Sequence, residues 1–440
     1  MTLLAGGHGG GGRREERPDR RGRDSLRRIA AGILLSVLAT TAQAADIEVE
    51  LSGRFSIESR LYPDSAQHPG QRSHASGFTA KPELYVEDEE GRSITVSPFF
   101  RYDSADPRRT HADLREAFLL LYGELGEGEW ELRLGVDRVA WGVAEVRNIV
   151  DIVNQTDLVE HPDEKTKLGQ PMAHGTWSAD WGVLELFLLP WHRERTYPGR
   201  AGRLRSEFVV DNDKATYDSA AEERHMDWAV RYSGSFGLVD LGLSYFDGQS
   251  REPSLRPVPG NAGSFVLQPH YEKIRQFGLD AQLTTGPWLF KLEAIRRFGA
   301  SNRPSREHPF GEEDDYGAWI VGGEHTLYSV FDTEAEITLL AEWHWDGRGA
   351  ERATNAFEND LFLGARLALN DVEGTEFTLS VAEDLDHGGR VFGFEAKTRL
   401  NDNWSFELEG TAFHGVEWPD DALYGVRRDT YIGLSLIYNL

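Results

Sequence analysis

The sequence predicts an all-β protein, a single antiparallel transmembrane β-barrel of about eighteen strands, with sixteen as the alternative count. Three observations predict this fold. The chain begins with a secretory leader, and segments with a two-residue hydrophobic period then recur between turn signals. The chain ends on a strand whose apolar residues occupy every second position, as in the closing strand of an outer-membrane barrel: Ile432, Leu434, Leu436, Tyr438 and Leu440.

The leader lies at residues 26–44, with a basic start, an apolar run over 29–39 and a small-x-small exit at Ala42, Gln43 and Ala44. This is the pattern of a signal peptide, and the apolar run is too short to span a bilayer. We expect cleavage before Ala45. Residues 1–44 are therefore predicted to be a removed leader, and residues 45–440 to form the barrel.

The composition is acidic, with 47 Lys and Arg against 73 Asp and Glu and a formal net charge of −26. Such a surface argues against nucleic acid as a partner, because phosphates are bound by Lys and Arg. The chain has no cysteine, so disulfides, haem attachment and thiolate metal sites are excluded. No apolar run reaches the roughly 20 residues of a membrane helix. A chain of this kind can span a membrane only as a closed sheet.

Eighteen segments of the mature chain are predicted to be strands: 47–61, 76–87, 91–103, 112–125, 128–141, 171–180, 182–191, 225–236, 238–248, 271–286, 288–300, 315–329, 331–346, 356–370, 374–386, 389–400, 403–415 and 428–440. The connections after even-numbered strands are short and polar. Those after odd-numbered strands are mostly long, notably 142–170, 192–224, 249–270 and 301–314. Short periplasmic turns and long outer loops are typical of outer-membrane barrels, and they place both termini in the periplasm.

The segment 331–345 shows why the barrel is predicted to lie in a membrane. One face of this strand carries apolar residues and two Trp, and the other carries carboxylates and a His. Lipid outside and water inside fit both faces. The alternative is a large soluble β-protein of the periplasm, which would not need detergent for extraction.

The polar face of each strand predicts a charged, water-filled lumen. The residues assigned to it are Glu131, Arg133, Arg231, Lys291, Glu293, Glu334, Glu336, Glu342, Asp360, Arg366, Glu395, Lys397, Arg399, Glu407 and Glu409. Facing acidic and basic rows would set up a transverse field for passing ions. The alternative is that these charges only pair across strands and hold the lumen together.

The segment 141–170, the third outer loop, is too apolar for a solvated loop. Val146, Ile149 or Val150, and Val153 would share one face of a helix. This face needs shelter, and the inside of the barrel wall is the nearest. We predict that the polar residues of this region form a pore constriction, with Arg147 paired to a carboxylate three or four residues away. The alternative is that they only fix the loop to the wall. The candidates are Asp137, Glu145, Arg147, Asp151, Asn154, Asp157 and Glu160.

An inward-folded third loop resembles the outer-membrane porins. The stretch WGVAEVRNIVDIVNQTDLVE together with KLGQPM at residues 167–172 also resembles a family of uncharacterised proteobacterial outer-membrane barrel proteins. The resemblance implies a porin-type barrel in the outer membrane of a Gram-negative bacterium, and it implies no particular solute. The chain departs from the usual pattern at Leu440, where such barrels commonly end in Phe.

Enzymatic motifs are not found: there is no Gly-x-Ser-x-Gly, no phosphate-binding glycine loop and no His-Glu-x-x-His. We therefore expect no enzyme and no cofactor, and a lipid-modifying barrel enzyme is the least favoured alternative. Acidic clusters at 211–218 and 312–315 could hold calcium, but they lack the pattern of a dedicated site, and no metal is predicted.

The function predicted is an outer-membrane channel for passive or selective diffusion of small hydrophilic solutes. The alternatives are a conduit for polymer export and a structural barrel whose loops bind a partner. The expected partners are outer-membrane lipid and lipopolysaccharide, the barrel-insertion machinery and the solute itself. A homotrimer remains an alternative to a monomer.

Overall fold

The computed structural model describes residues 47–260, 264–302, 311–349, 355, 357–418 and 422–440. The predicted leader lies outside the described residues. Eighteen of the strands form one antiparallel sheet. The strand count and the all-β class predicted from the sequence are confirmed.

The barrel strands have the alternating apolar and polar residues that a wall with two different faces requires. Their bounds are β1 (Glu48–Leu61), β2 (His74–Glu87), β3 (Ser93–Asp103), β4 (His111–Leu125), β5 (Gly128–Asp137), β6 (Gln170–Ala179), β7 (Gly182–Leu189), β9 (Asp227–Phe236), β10 (Val239–Gln249), β13 (Lys273–Thr285), β14 (Trp288–Phe298), β15 (Tyr316–Leu327), β16 (Glu336–Asp346), β17 (Asn359–Ala368), β18 (Glu376–Asp384), β19 (Arg390–Arg399), β20 (Trp404–His414) and β21 (Tyr431–Asn439).

The sheet closes through its first and last strands. β1 pairs with β2 on one side and with β21 on the other, in a register that runs from Arg54 opposite Asn439 to Leu61 opposite Ile432. Closure leaves no strand edge, so every strand has backbone partners on both sides.

Side chains alternate between the two faces of the wall, as β16 shows. Leu339, Trp343 and Trp345 are exposed on the outward face, whereas Glu342 and His344 are buried on the inward face. Along β21, Ile432, Leu434 and Leu436 are likewise exposed outward. The outer wall is therefore apolar, and the lumen is polar.

The structure corrects several strand bounds, most of all in two strands. β5 ends at Asp137 rather than at residue 141, so the third loop begins earlier. β16 begins at Glu336 rather than at residue 331. The chain cannot extend through 328–335 because Phe331 and Asp332 have φ of 56° and 58°, the left-handed conformation that does not occur in a strand. Glu334, predicted to line the lumen, lies in this turn instead.

A second, smaller sheet forms among the long loops and was not predicted. It contains β8 (Thr216–Tyr217), β11 (Ser254–Pro259) and β12 (Phe265–Tyr271). β11 and β12 form a hairpin, and β8 joins β12 in parallel through Thr216 and His270. The loops at this end of the barrel are thereby joined to one another.

The helical segments of the described chain are short 3-10 turns, at Pro107–Arg109, Asn212–Lys214, Glu222–Arg224 and Ala422–Val426, with an irregular one at Val330–Asp332. In the part of the chain that the structure describes, no helix has the length and apolar character needed to cross a membrane.

Candidate functional site in the barrel lumen

The third loop, residues 138–169 between β5 and β6, folds into the barrel as predicted. Four of its apolar side chains join one buried cluster with inward-facing residues of the wall. The loop contributes Trp141, Val150, Ile152 and Val153, and the wall contributes Met172, Phe187, Leu189, Ala229, Phe246, Ile274, Ile295, Tyr316 and Ala318. Burying a Val or Ile side chain stabilises the packed state by roughly 1.5 to 3 kcal/mol, so this half of the wall holds the loop firmly.

The prediction of a helix in this loop is wrong, because Glu293 of β14 binds the backbone N–H groups that a helix would use. One carboxylate oxygen of Glu293 accepts hydrogen bonds from the backbone N–H groups of Val143 (2.7 Å) and Ala144 (3.0 Å). The other oxygen accepts from Ile149 (2.8 Å) and Val150 (3.3 Å). An α-helix needs such N–H groups for its own carbonyls. The loop therefore wraps around a carboxylate instead of coiling.

Gly142 makes this wrapping possible. Its φ is +107°, and a Cβ there would lie 2.4 Å from Oε1 of Glu293. Any other residue would be strained and would collide with the carboxylate.

Glu342 of β16 holds the next part of the loop in the same way. Its carboxylate accepts from the backbone N–H groups of Glu145 (2.6 Å) and Val146 (3.2 Å). The Glu145 side chain, in turn, accepts from Nζ of Lys291 at 2.7 Å. Two inward-facing carboxylates, predicted only to line water, thus fix the loop to the wall.

Buried ion pairs fix the middle of the loop. Arg147 pairs with Glu164 (2.9 Å) and Glu252, and not with a carboxylate three or four residues away as predicted. Arg195 and Arg297 add contacts at 3.3 Å to Glu164 and 3.0 Å to Glu252. Burial alone would raise the pKa of the Glu164 and Glu252 carboxyls, but the surrounding arginines outweigh it and hold both pKa values below their usual range.

The far end of the loop reaches the opposite wall. Asp157 pairs with Arg115 of β4 at 2.5 Å, and Glu160 pairs with Arg101 of β3 at 2.7 Å. Nε2 of His161 lies 3.1 Å from the hydroxyl of Tyr431 in β21. The loop therefore crosses the lumen and is held on both sides.

A charged cavity remains beside the loop, and we call it the passage. It is a cavity of about 470 Å³ between residues 160–166 and the inner faces of β1, β3 and β17–β21. Its charged lining residues are Glu58, Arg60, Arg101, Arg109, Glu160, Arg366, Glu376, Glu395, Lys397, Glu407 and Glu409. A smaller pocket of about 40 Å³ lies on the long-loop side. Arg60, Arg109, Glu160 and His161 line both spaces, and we call these four residues the narrow point.

The charges along the passage are of both signs and are largely paired. Arg60 pairs with Glu409 at 3.0 Å, and Lys397 pairs with Glu376 at 2.9 Å. Arg366 faces the same space across Thr378 from Glu395. Acidic and basic groups thus line the same cavity, so a polar solute there can interact with groups of either charge.

Most of the predicted constriction residues lie away from the passage. Asp137, Asn154 and Asp157 are buried, and the Asn154 amide donates to the carbonyls of Asp137 and Leu168 at 2.9 Å each. Asp151 lies 3.5 Å from Lys167, and burial raises the pKa of its carboxyl. Of the seven candidates, Glu160 lines the passage.

The predicted lumen residues divide into three groups. Arg366, Glu395, Lys397, Glu407 and Glu409 line the passage. Arg231, Glu293 and Glu342 are buried beneath the loop. Arg231 there forms a bidentate ion pair with Asp280, with N–O distances of 2.6 and 2.8 Å.

The remaining predicted residues lie elsewhere along the strands. Glu131 and Arg133 pair at 3.7 Å within β5. Glu336 begins β16, and Arg399 ends β19, where its guanidinium donates to the Val372 carbonyl. Asp360 is buried in β17, opposite Asp384 of β18.

Sequence reasoning missed the arginines at and beside the narrow point. Arg60 of the narrow point and the neighbouring Arg101 lie on the inward faces of β1 and β3, and Arg109 lies in the turn before β4. The alternation of β1 and β3 was a signal that could have found the first two residues.

The barrel is similar to several solved bacterial porins. The structure of OpdQ from Pseudomonas aeruginosa is 10% identical, with a TM-score of 0.49 over 90% of this chain and 98% of that chain. A BenF-like porin from Pseudomonas fluorescens Pf-5 is 10% identical, with a TM-score of 0.48 over the same shares. A triple mutant of the Rh. blastica porin is 11% identical, with a TM-score of 0.42 over 89% of this chain and 100% of that chain.

Comparison with curated proteins gave no match. A family match, in contrast, covers most of the chain, over residues 30–423. The chain belongs to the family described as "Protein of unknown function (DUF1302)".

Proposed function

We propose that the protein is an outer-membrane channel for small hydrophilic solutes. The observation that carries this proposal is the charged passage that the third loop leaves open along one side of the lumen. On the other side of the lumen, the third loop packs against an apolar cluster and leaves its charged groups buried and paired. Charged side chains that face a cavity inside a barrel are typical of water-filled pores.

The outer membrane of a Gram-negative bacterium is the proposed location. An apolar outward face on a closed sheet suits lipid, because the closed sheet leaves no backbone group unpaired in the bilayer. The predicted leader at 1–44 and the terminal strand β21 suit export and barrel insertion. Lipid and lipopolysaccharide are the proposed partners of the outer wall.

The third loop is the proposed filter. Solutes must pass the narrow point, where Arg60 and Arg109 face Glu160 and His161. Since groups of both signs lie there, the filter is expected to favour small polar solutes over apolar ones of the same size.

The main test is conduction by the refolded full-length protein in planar bilayers. Replacing residues 146–157 by a short Gly-Ser turn should raise single-channel conductance, because the loop blocks part of the lumen. No conductance in either protein would contradict the channel and favour a sealed barrel. Unchanged conductance would contradict the role of the loop as the filter.

Charge variants test the passage itself. Glu395→Lys should shift the reversal potential toward anions, and Arg366→Glu should shift it toward cations, because both side chains face the passage. Glu127→Lys, which makes the same charge change in an exposed turn, is the matched control. Equal shifts in Glu395→Lys and Glu127→Lys would show that the cavity is not the conducting path.

A further inference from the structure

Two turns at the short-turn end of the barrel differ from the others. The turns 328–335 and 369–375 are longer than the tight turns at the same end, such as 126–127 and 286–287. They follow β15 and β17, so they are neighbours on the rim. We call them together the rim turns.

The rim turns expose apolar side chains to water. Phe331 is 90% exposed and Val372 is 85% exposed, and these are the two most exposed large hydrophobic side chains in the described part of the chain. Both lie beyond the ends of the strands. Neither side chain can stabilise the barrel by burial, so their positions need another reason.

Phe331 is also held in an unfavourable backbone conformation. Ser329, Phe331 and Asp332 have φ between 53° and 58°, and Asn370 of the second turn has φ of 54°. A bulky side chain seldom adopts this conformation. Strain that persists without a folding advantage is common at binding surfaces.

The rim turns are nevertheless well supported by hydrogen bonds. Nδ2 of Asn370 donates to the carbonyl of Glu334 at 2.8 Å and joins the two turns. Within the turns, the N–H of Val330 donates to the carbonyl of Ala335 at 2.9 Å, and the N–H of Thr375 donates to Oδ1 of Asp371 at 2.7 Å. The apolar side chains are therefore presented from a fixed support, which lowers the entropic cost of binding.

Along the chain, carboxylates outnumber cations next to the apolar side chains, although the guanidinium of Arg399 contacts the carbonyl of Val372. Asp332 and Glu334 flank Phe331, and Asp371 and Glu373 flank Val372. The surface thus combines an apolar centre with an acidic border. Insertion of these side chains into anionic lipid would bring like charges together and is disfavoured.

We propose that the rim turns dock a periplasmic protein that has an apolar pocket bordered by Lys and Arg. Phe331 and Val372 would fill the pocket, and the carboxylates would set its orientation and its on-rate. The periplasmic position of this surface rests on the proposed outer-membrane location.

The test uses p-benzoylphenylalanine placed at position 331 of the full-length protein in living cells, with illumination to form crosslinks. One discrete protein adduct is expected. The control has the same probe at Leu238, an exposed apolar residue in a tight turn at the same end. Changing Asp332, Glu334 and Glu373 together to Lys should reduce the adduct by about tenfold or more, because like charges would then meet at the border.

The possible results distinguish a periplasmic protein from lipid and from a second copy of this chain at the rim turns. An adduct only with lipid, or only with a second copy of this chain, would overturn the proposal. So would an equal adduct from position 238, or an adduct that survives the charge reversal. Labelling of Phe331→Cys by a membrane-impermeant maleimide, only after the outer membrane is permeabilised, checks the location separately. A failed location test leaves the conduction measurements on the purified protein unaffected.

Discussion

The two sides of the barrel lumen have the same strand geometry but differ in what lies against them. From β6 to β15 the inward residues form an apolar cluster and buried, paired charges that lie against the third loop, whereas from β17 to β21 and in β1 the inward charged residues line a cavity. The outer face is apolar on both sides. Buried apolar side chains among the inward residues therefore mark where protein, rather than water, lies against the wall.

The largest effect should come from Glu293, which holds the third loop on the side of the lumen that the loop covers. Glu293→Ala leaves four backbone donors without a partner, and each unsatisfied buried donor costs about 1 to 3 kcal/mol. We expect a loss of roughly 4 kcal/mol or more in the free energy of unfolding, measured by urea titration in lipid. Glu395→Ala on the open side should change it by less than about 0.5 kcal/mol. Equal losses would mean that the loop is not held by Glu293.

An introduced lysine should destabilise the protein on the covered side of the lumen and be tolerated on the open side. Ile274→Lys places an ammonium group in the apolar cluster and should cost about 3 to 5 kcal/mol, as for an uncompensated buried charge. Thr378→Lys faces the passage, so its charge stays hydrated and its cost should be small. If both variants unfold at the same urea concentration, the covered side is hydrated as well.

The inward and outward faces can be compared within one strand. Leu339→Arg on the outward face of β16 should cost roughly 2 to 4 kcal/mol in lipid. Glu336→Arg, on the inward face of the same strand, should cost far less. Equal tolerance in lipid refolding would contradict the assignment of faces.

The smallest expected effect is the pH dependence of the ion pairs around Arg147. The pKa of Glu252 is lowered in the folded state, so its stabilisation is fully present above the unfolded value of about 4.3 and is lost as the pH falls through the folded value. Asp151, whose pKa is raised, acts in the opposite direction. Unfolding free energies at pH 7 and pH 3 should therefore differ less in Glu252→Gln than in the wild type. A parallel response in both proteins would show that Glu252 makes no net contribution.

The strands were predictable from the sequence because alternation is a local property. β1 and β21 could each be recognised alone, and their pairing followed from the need to close the sheet. The backbone of the third loop was not predictable. Its N–H groups bond to Glu293 and Glu342, which lie on strands far along the chain, and local periodicity has no information about such partners.

The small sheet was missed for a similar reason. β8 is a two-residue strand that pairs in parallel with β12, and a segment that short shows no period. The narrow point was found in part: Glu160 was predicted, whereas Arg109 lies outside a strand and has no sequence pattern that marks it.

The position of Tyr431 links closure of the barrel to the contacts of the third loop. Its hydroxyl, on β21, meets His161, while Arg60 reaches the narrow point from β1, the strand at the other end of the described barrel sequence. These two strands become neighbours only when the sheet closes on itself. An unclosed barrel would therefore have a loop attached on one side and a wide gap on the other. The same joining step that removes the exposed strand edges therefore also completes the narrow point.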